Sequence, residues 1–410
     1  MSKLNCMVAQ SGGPTVAINA SLAGVIDGVF ESAVYDRIYG SVNGIYGILN
    51  GNTMDLTAKV EENASFLSRL KVSPAMYLGS CRYKLPAAEV DETPYQTIFK
   101  AFEDMNIGAF FYIGGNDSMD TVMKLGAYGR QIGSNVRVIG VPKTIDNDLC
   151  DIDHTPGYGS AAKYVATTLL EIAHDTYIYK VPSVTIVEIM GRDAGWLTAA
   201  SALARNSYSA APDLIYLPEV AFDKDAFLND LRSLLEKKDN VIVAVSEGIH
   251  DADGNYISAT EAAADTFGHA QLSGAGKTLE MMVKNALGVK VRSVEINVLQ
   301  RSAAHCASLT DLNESFELGL HAVKGAEFRL SEVMVTLQRE SSAPYEVFYD
   351  YVAIDGIANA ARSIPREWIN EAGNDVTEEF ITYAAPLVVG EPKLEYENGL
   401  PVYLDIAHLV

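Results

Sequence analysis

The chain has 410 residues, of which 48% are hydrophobic, so it has room for two or more domains with substantial cores. Its formal net charge of −22 argues against nucleic acid and anionic membrane surfaces as partners, because both repel an acidic protein. No stretch approaches 18 uninterrupted apolar residues, and the four scattered cysteines are typical of free thiols in the cytosol. The composition predicts a cytoplasmic protein that must gather cations locally if it binds phosphate.

The chain begins with a predicted strand, a glycine-rich turn and a helix. Residues 4–9 have the length and apolar composition of a buried strand, and the turn SGGP at 11–14 precedes a helical stretch over 16–30. This turn is as consistent with an ordinary helix start as with a phosphate site. Further along, Arg82 follows directly after a Gly-Ser turn.

The most informative stretch lies in the middle of the first half. A strand is predicted at 109–113; it ends in two glycines and precedes a helix over 118–129. Glycines at a strand-to-helix turn let backbone amides approach an anion at the positive end of the helix dipole. A second strand, at 136–141, then leads into PKTIDND at 142–148.

The PKTIDND loop combines a cation, a hydroxyl group and two carboxylates, supplied by Lys143, Thr144, Asp146 and Asp148. In an open parallel sheet the carboxyl ends of neighbouring strands meet at one edge, where ligands bind. We therefore expect this loop and the preceding glycine turn to face a common, phosphate-bearing ligand.

The second half continues the alternation of strands and helices, which predicts mainly parallel sheets with helices on both faces. Strands are predicted at 183–189, 214–217, 241–245 and 289–299, and helices over 223–237 and 311–324. Met190-Gly191-Arg192 follows the first of these strands, and Glu247 follows the third.

GGNDS followed by PKTIDND resembles the phosphofructokinase family, specifically its pyrophosphate-dependent branch. The resemblance covers about residues 1–325 and implies an α/β fold of two doubly wound, mainly parallel-sheet domains. We expect a phosphoryl-donor domain, a sugar-phosphate domain, and a C-terminal extension packed on the second domain. Their expected ranges are 1–157 with about 299–345, then 158–298, then 346–410.

The expected phosphoryl donor follows from two positions. ATP-using members of the family have glycine where this chain has Asp117 and Lys143. A carboxylate at 117 fills and charges the space that an ATP α-phosphate needs, while Lys143 adds positive charge for the smaller pyrophosphate. The resemblance implies that pyrophosphate binds to Gly13, Arg82, Gly115, Asp117 and Lys143. The usual GGD motif of the family ends here in Asn116, which we expect to coordinate Mg²⁺ through its amide oxygen.

The resemblance implies reversible phosphoryl transfer from pyrophosphate to O1 of fructose 6-phosphate, a step of glycolysis and gluconeogenesis. Asp146 is the expected general base, and Asp148 is expected to hold the metal or position Asp146. Thr144 is expected to hydrogen-bond the transferring group, whose charge Arg192 offsets. The implied sugar-phosphate residues are Thr144, Ile145, Asp146, Met190, Gly191, Arg192, Glu247, Arg292 and Arg301.

Arg292 is expected to reach into the site of a neighbouring subunit, which predicts a homodimer or homotetramer. Ser183 and Val298 stand where the family has an arginine and a histidine, so other sugar phosphates, including a seven-carbon analogue, stay open as substrates.

Three other functions compete with this one. The first is an ATP-dependent phosphofructokinase, against which Asp117 and Lys143 argue. The second is a non-catalytic regulatory subunit of the same fold, against which the retained carboxylate pair argues. The third is a dinucleotide-binding dehydrogenase, against which the absence of a GxGxxG turn from the sequence argues.

Overall fold

The computed structural model describes residues 3–257, 274–357 and 360–410. A seven-stranded sheet, a four-stranded sheet and a two-stranded ribbon are present in these residues. The seven-stranded sheet contains β1 (Leu4–Gln10), β2 (Tyr35–Ser41), β3 (Thr53–Asp55), β4 (Ile107–Gly114), β5 (Arg137–Pro142), β10 (Val333–Ser342) and β11 (Tyr345–Ala353). The four-stranded sheet contains β6 (Ser183–Ile189), β7 (Leu214–Tyr216), β8 (Asn240–Ser246) and β9 (Lys290–Glu295), and the ribbon contains β12 (Tyr396–Glu397) and β13 (Leu400–Pro401).

The helices of the first half are α1 (Ile18–Glu31), α2 (Ile45–Leu49), α3 (Leu56–Glu62), α4 (Phe66–Val72), α5 (Thr93–Asp104), α6 (Asn116–Gln131), α7 (Tyr158–Tyr177) and α8 (Trp196–Ala200). Those of the second half are α9 (Lys224–Leu235), α10 (Ala275–Leu287), α11 (Leu309–Glu327) and α12 (Glu378–Ala384).

The strand order of the large sheet determines where a ligand can bind. Its order is β11-β10-β5-β4-β1-β2-β3, and β5, β4, β1 and β2 run parallel. From β1 the chain passes through α1 to β2 on one side, whereas from β4 it passes through α6 to β5 on the other. Because such crossovers are right-handed, α1 and α6 lie on opposite faces. The order reverses between β1 and β4, and open α/β sheets bind ligands in the crevice at that point.

The smaller sheet is parallel throughout and is covered on both faces. One face packs against α9 and α10 through side chains such as Phe227 and Leu279. The other face packs against α7 and α8 through side chains such as Leu169 and Trp196. Two mainly parallel sheets, each with helices on both faces, confirm the predicted fold class. No helix in the described ranges is long and apolar enough to cross a bilayer.

The structure corrects two sequence predictions. The strand predicted at 289–299 ends at Glu295, because Asn297 takes a left-handed backbone conformation (φ 48°) that turns the chain. The boundary predicted at 345/346 cuts into β11, which pairs antiparallel with β10 and so belongs to the first sheet. The reason is that Val347 and alternate residues of β11 pack on the core of that sheet.

Beyond β11 the tail contacts both halves of the molecule. Ile364, Phe380 and Tyr383 belong to the core beside the smaller sheet. Leu404 returns to the core of the large sheet, and a ring nitrogen of His408 lies 2.7 Å from the carbonyl oxygen of Tyr77. The tail therefore bridges the two sheets, and the remaining domain boundaries stay predictions.

Candidate active site

Lys143 joins the turns after β1 and β5. Its side chain is buried, and its Nζ donates a hydrogen bond to the carbonyl oxygen of Gly13 at 2.7 Å. The hydroxyl group of Ser80, two residues before Arg82, donates to the carbonyl oxygen of Gly12 at 2.9 Å. Three segments that are far apart in sequence therefore meet at the reversal point of the large sheet, where the sequence predicts a phosphate site.

Burial makes the charge of Lys143 sensitive to pH. Removal from water lowers its pKa to about 8, an effect that Arg301 reinforces and that Asp146 and Asp148 partly oppose. The ammonium group is therefore mostly protonated at pH 7 and loses its proton around pH 8.

This pKa predicts the alkaline pH dependence of anion binding. Lys143 is charged below about pH 8 and neutral above it, so kcat/KM for an anionic donor should fall as pH rises through that value. Lys143→Arg keeps its charge over this range, so its profile should lack that limb. Steady-state kinetics between pH 6.5 and about 9.5 checks this. An equally steep decline of kcat/KM in both proteins would mean that the decline comes from ionisation of the donor or of another group of the protein.

The segment 143–148, hereafter the acceptor loop, holds its carboxylates by short-range hydrogen bonds. The hydroxyl group of Thr144 accepts from the backbone N–H of Asp146 at 3.1 Å and donates to Oδ2 of Asp146 at 3.3 Å. Asn147 has φ 55°, a left-handed conformation that asparagine tolerates, and its side chain is fully buried. The turn at Asn147 separates Asp146 and Asp148 while keeping both at the carboxyl edge of the sheet.

The two carboxylates have unusual proton affinity. Burial raises the pKa of Asp146, although the hydroxyl group of Thr144 and nearby cations lower it. Burial, reinforced by the charge of Asp146, raises the pKa of Asp148. A carboxylate whose pKa moves toward neutrality is a stronger base at pH 7 than an exposed one.

Asn116 and Asp117 begin α6, directly after the glycine turn. Nδ2 of Asn116 donates to Oδ2 of Asp148 at 3.3 Å, while its Oδ1 is buried without a hydrogen-bond partner in the described structure. Asp117 lies exposed in the first helical turn, where the helix dipole favours a carboxylate.

On the other side of the cleft, the turns after β6 and β8 are in direct contact. A side chain at Gly248 would place its Cβ 1.7 Å from the carbonyl oxygen of Arg192, so only glycine allows this approach. The backbone N–H of Gly191 donates to Oε1 of Glu247 at 3.3 Å. Burial raises the pKa of Glu247 to about 7, the Gly191 bond opposes this, and the charge of Asp146 reinforces it.

The two sides of the cleft face each other closely enough for their charges to interact. Arg192 and Arg301 both lower the pKa of Asp146, and the positive charge of Arg82 lowers the pKa of Arg301. A Cβ at Gly13 would lie 3.2 Å from Nη1 of Arg301. The structure therefore brings together most residues predicted for the site, which are Gly13, Arg82, Asn116, Lys143, Thr144, Asp146, Asp148, Arg192, Glu247 and Arg301.

Other predicted residues contribute differently. Ile145 is buried in the core beside the smaller sheet, and Met190 packs against that core. Arg292 lies outside the cluster: its Nη1 donates to Asp175 at 2.9 Å, and it lines a small pocket with Ser183. Its expected role in a neighbouring subunit stays a prediction.

Two residues that no sequence pattern marks, Arg362 and Tyr383, support the acceptor loop from behind. The guanidinium of Arg362 donates to the carbonyl oxygen of Asn147 at 3.2 Å, and the hydroxyl group of Tyr383 accepts from Nδ2 of Asn147 at 2.8 Å. Both lie in the tail, where neither a motif nor the resemblance marks them.

The site gathers four cations near the carboxylate pair of Asp146 and Asp148; these cations are Arg82, Lys143, Arg192 and Arg301. Such a site can bind two phosphate-bearing molecules with a base between them, as a phosphotransferase requires. A sequence model described as Phosphofructokinase matches residues 5–326. The chain belongs to the phosphofructokinase family.

Relatives extend the similarity to the whole chain. The pyrophosphate--fructose 6-phosphate 1-phosphotransferase of Xanthomonas campestris pv. campestris (strain B100) is 39% identical over 412 residues, which cover 100% of this chain and 97% of that protein. The protein of the same name from Rhodospirillum rubrum is 40% identical over 398 residues, 95% of each chain. The crystal structure of a pyrophosphate-dependent phosphofructokinase from Nitrosospira multiformis matches with a TM-score of 0.89 at 36% identity, covering 98% of this chain and 96% of that one.

Proposed function

We propose that this enzyme transfers a phosphoryl group from pyrophosphate to O1 of fructose 6-phosphate, giving fructose 1,6-bisphosphate and orthophosphate in a reversible reaction. The observation that carries the choice of donor is the buried ammonium group of Lys143, 2.7 Å from the carbonyl oxygen of Gly13. A cation at this position neutralises a small, highly charged donor. Relatives that match nearly the full chain are named for the same reaction.

In the proposed mechanism, Asp146 takes the proton from the O1 hydroxyl as that oxygen bonds to the phosphorus of the donor. The bond from phosphorus to the bridging oxygen breaks, and orthophosphate leaves. Thr144 accepts a hydrogen bond from the backbone N–H of Asp146 and turns its hydroxyl hydrogen from the Asp146 carboxylate to the transferring group. Arg192 offsets the charge of that group. The base acts mainly by position, because phosphoryl transfer leaves the protein little other chemistry to perform.

The donor subsite is assigned to the turns after β1, β4 and β5. Backbone amides of Gly13 and Gly115, together with Lys143 and Arg82, hold pyrophosphate, and Asp117 limits the space beyond it. The sugar-phosphate subsite takes Met190, Gly191, Arg192, Glu247 and Arg301 from the opposite side of the cleft. Glu247 accepts hydrogen bonds from the sugar hydroxyl groups, and Arg301 offers a planar fork to the 6-phosphate.

Mg²⁺ fits the residues beside the donor subsite. The unpartnered Oδ1 of Asn116 and the carboxylate of Asp148 are oxygen ligands of the kind that Mg²⁺ prefers. In the described ranges no group of three or more His, Cys, Asp or Glu side chains is placed to hold a metal, which suits an ion held by few protein ligands and by substrate phosphates. When bound, Mg²⁺ neutralises charge on the phosphates.

The role of Asn116 predicts how the enzyme responds to metal concentration. Asn116→Asp adds a second carboxylate beside Asp148, so the Mg²⁺ concentration for half-maximal activity should fall about tenfold. Asn116→Ala removes the amide oxygen and should raise that concentration. Activity measured against free Mg²⁺ checks both variants, and half-maximal concentrations that do not move would exclude Asn116 as a ligand.

Arg292 is proposed to complete the sugar-phosphate subsite of a second copy, which makes the active form a homodimer or homotetramer. Within one chain it pairs with Asp175 on the surface, so it can reach a partner without disturbing its own core.

A paired assay tests the proposed function. Purified protein receives fructose 6-phosphate and Mg²⁺ with either pyrophosphate or ATP, and fructose 1,6-bisphosphate is measured. Turnover with pyrophosphate alone is expected. Turnover with ATP alone would overturn the donor assignment, and silence with both would favour a regulatory subunit or a different sugar phosphate.

A further inference from the structure

A short segment of the tail, residues 362–364, lies against the acceptor loop; it is called the strap below. It falls outside residues 5–326, which the family sequence model matches. The backbone N–H of Arg362 donates to the carbonyl oxygen of Asp148 at 2.7 Å. Its guanidinium donates to the carbonyl oxygens of Ile152 and Asp153 at 2.8 and 2.9 Å. Arg362 therefore holds the part of the chain that runs from Asp148 to Asp153.

Asn147, between the two carboxylates, is held from the same direction. The guanidinium of Arg362 donates to its carbonyl oxygen at 3.2 Å. The side chain of Asn147 donates to the hydroxyl oxygen of Tyr383 at 2.8 Å, and that hydroxyl group donates to the carbonyl oxygen of Asp153 at 2.8 Å. Asn147 keeps its left-handed conformation inside this network, so the directions of both neighbouring carboxylates depend on it.

The strap also contacts the opposite side of the cleft. The guanidinium of Arg362 lies 4.8 Å from the ring of Trp196, whose Nε1 donates to the carbonyl oxygen of Arg362 at 3.1 Å. One carboxylate oxygen of Glu219 accepts from the backbone N–H groups of Ile364 and Gly195, at 3.1 and 2.8 Å. Gly195 and Trp196 follow Arg192 closely in the chain, so the strap connects the acceptor loop with the turn that carries that arginine.

We infer that Arg362 and Tyr383 are positioning residues for phosphoryl transfer. They set the position of the Asp146 carboxylate relative to Arg192 and touch neither substrate. An error of about 1 Å between reacting groups costs about a hundredfold in rate, so a contact behind the loop can control turnover. The kinetic part of this inference rests on the proposed function.

Arg362→Ala is tested beside Arg366→Ala. Arg366 lies in the same tail and likewise donates its guanidinium to backbone carbonyl oxygens, those of Ile369 and Asn370, but not to the acceptor loop. We expect Arg362→Ala to lower kcat about a hundredfold and to leave KM for both substrates within about threefold. Arg366→Ala should keep kcat within about twofold of the unaltered enzyme, and Arg362→Lys should recover part of the loss. A kcat for Arg362→Ala within about fivefold of the unaltered enzyme, or an equal loss in Arg366→Ala, would overturn the inference.

Hydrogen–deuterium exchange of the peptide covering residues 144–155 gives a readout that does not depend on the reaction. Exchange should be faster in Arg362→Ala and unchanged in Arg366→Ala; equal exchange in the two variants overturns the inference even if the unaltered protein proves inactive with pyrophosphate. If Arg362→Ala does not fold, Tyr383→Phe removes only the hydroxyl group and should still lower kcat about tenfold with faster exchange. Unchanged kcat and exchange in Tyr383→Phe would then overturn it.

Discussion

Asp146→Asn should lower kcat by about a thousandfold, because an amide of the same shape cannot take the proton from the attacking hydroxyl. The KM for fructose 6-phosphate should stay within about threefold, since the cations assigned to its phosphate remain. Steady-state kinetics with pyrophosphate and Mg²⁺ measures both constants. The burial that raises the pKa of Asp146 makes the loss larger than removal of an ordinary surface carboxylate would cause.

Asp151→Asn is the matched control. Asp151 is exposed, follows closely after the acceptor loop and has φ 56°, which asparagine also accepts. Its kcat should stay within about twofold of the unaltered enzyme. A loss of about tenfold or less in Asp146→Asn would rule out Asp146 as the general base.

The double variant Asp117→Gly with Lys143→Gly should lower kcat/KM for pyrophosphate by about a hundredfold or more and give measurable turnover with ATP. Lys143 is the buried cation at the turn of Gly13, and its loss removes charge from the smaller donor. Asp117 lies exposed at the start of α6, and we propose that it repels and obstructs the additional phosphate of ATP. Initial rates with each donor measure the change.

The single variants separate the two effects. Lys143→Gly alone should lose activity with pyrophosphate without gaining ATP activity, and Asp117→Gly alone should keep most pyrophosphate activity. Lys84→Gly removes an exposed cation and serves as the control for charge. A double variant that keeps kcat/KM for pyrophosphate within about tenfold of the unaltered enzyme and gains no turnover with ATP would mean that neither residue selects the donor.

The grouping of Gly13, Asn116, Lys143 and Asp146 was predictable from sequence. The turns that carry them follow apolar strands, and in a parallel sheet the carboxyl ends of strands share one edge. The switch point between β1 and β4 then places these turns side by side. The local sequence pattern and this rule of sheet topology are sufficient to predict that these four residues lie close together.

Contacts of the tail are not predictable from local sequence. Residues 346–353 are predicted to belong to an extension on the second domain, whereas the structure pairs them with β10 in the large sheet. Alternating residues show that one face of a strand is buried but not which core receives it. Arg362 and Tyr383 carry no sequence signal, because most of their partners are backbone carbonyl oxygens of residues 147, 148, 152 and 153, which any residue type supplies. The exception is the side-chain amide of Asn147, which donates to the hydroxyl group of Tyr383.

The sequence by itself determined the fold class, the glycine turns and the charged residues proposed for the reaction, because strand periodicity, glycine turns and charged loops are local properties. Only the tertiary structure decided the burial that lowers the pKa of Lys143, the charges of Asp146 and Glu247 facing each other across the cleft, and the support of the acceptor loop by the strap. Desolvation, charge interaction and long-range hydrogen bonds depend on distances between segments far apart in the chain, and packing alone sets those distances.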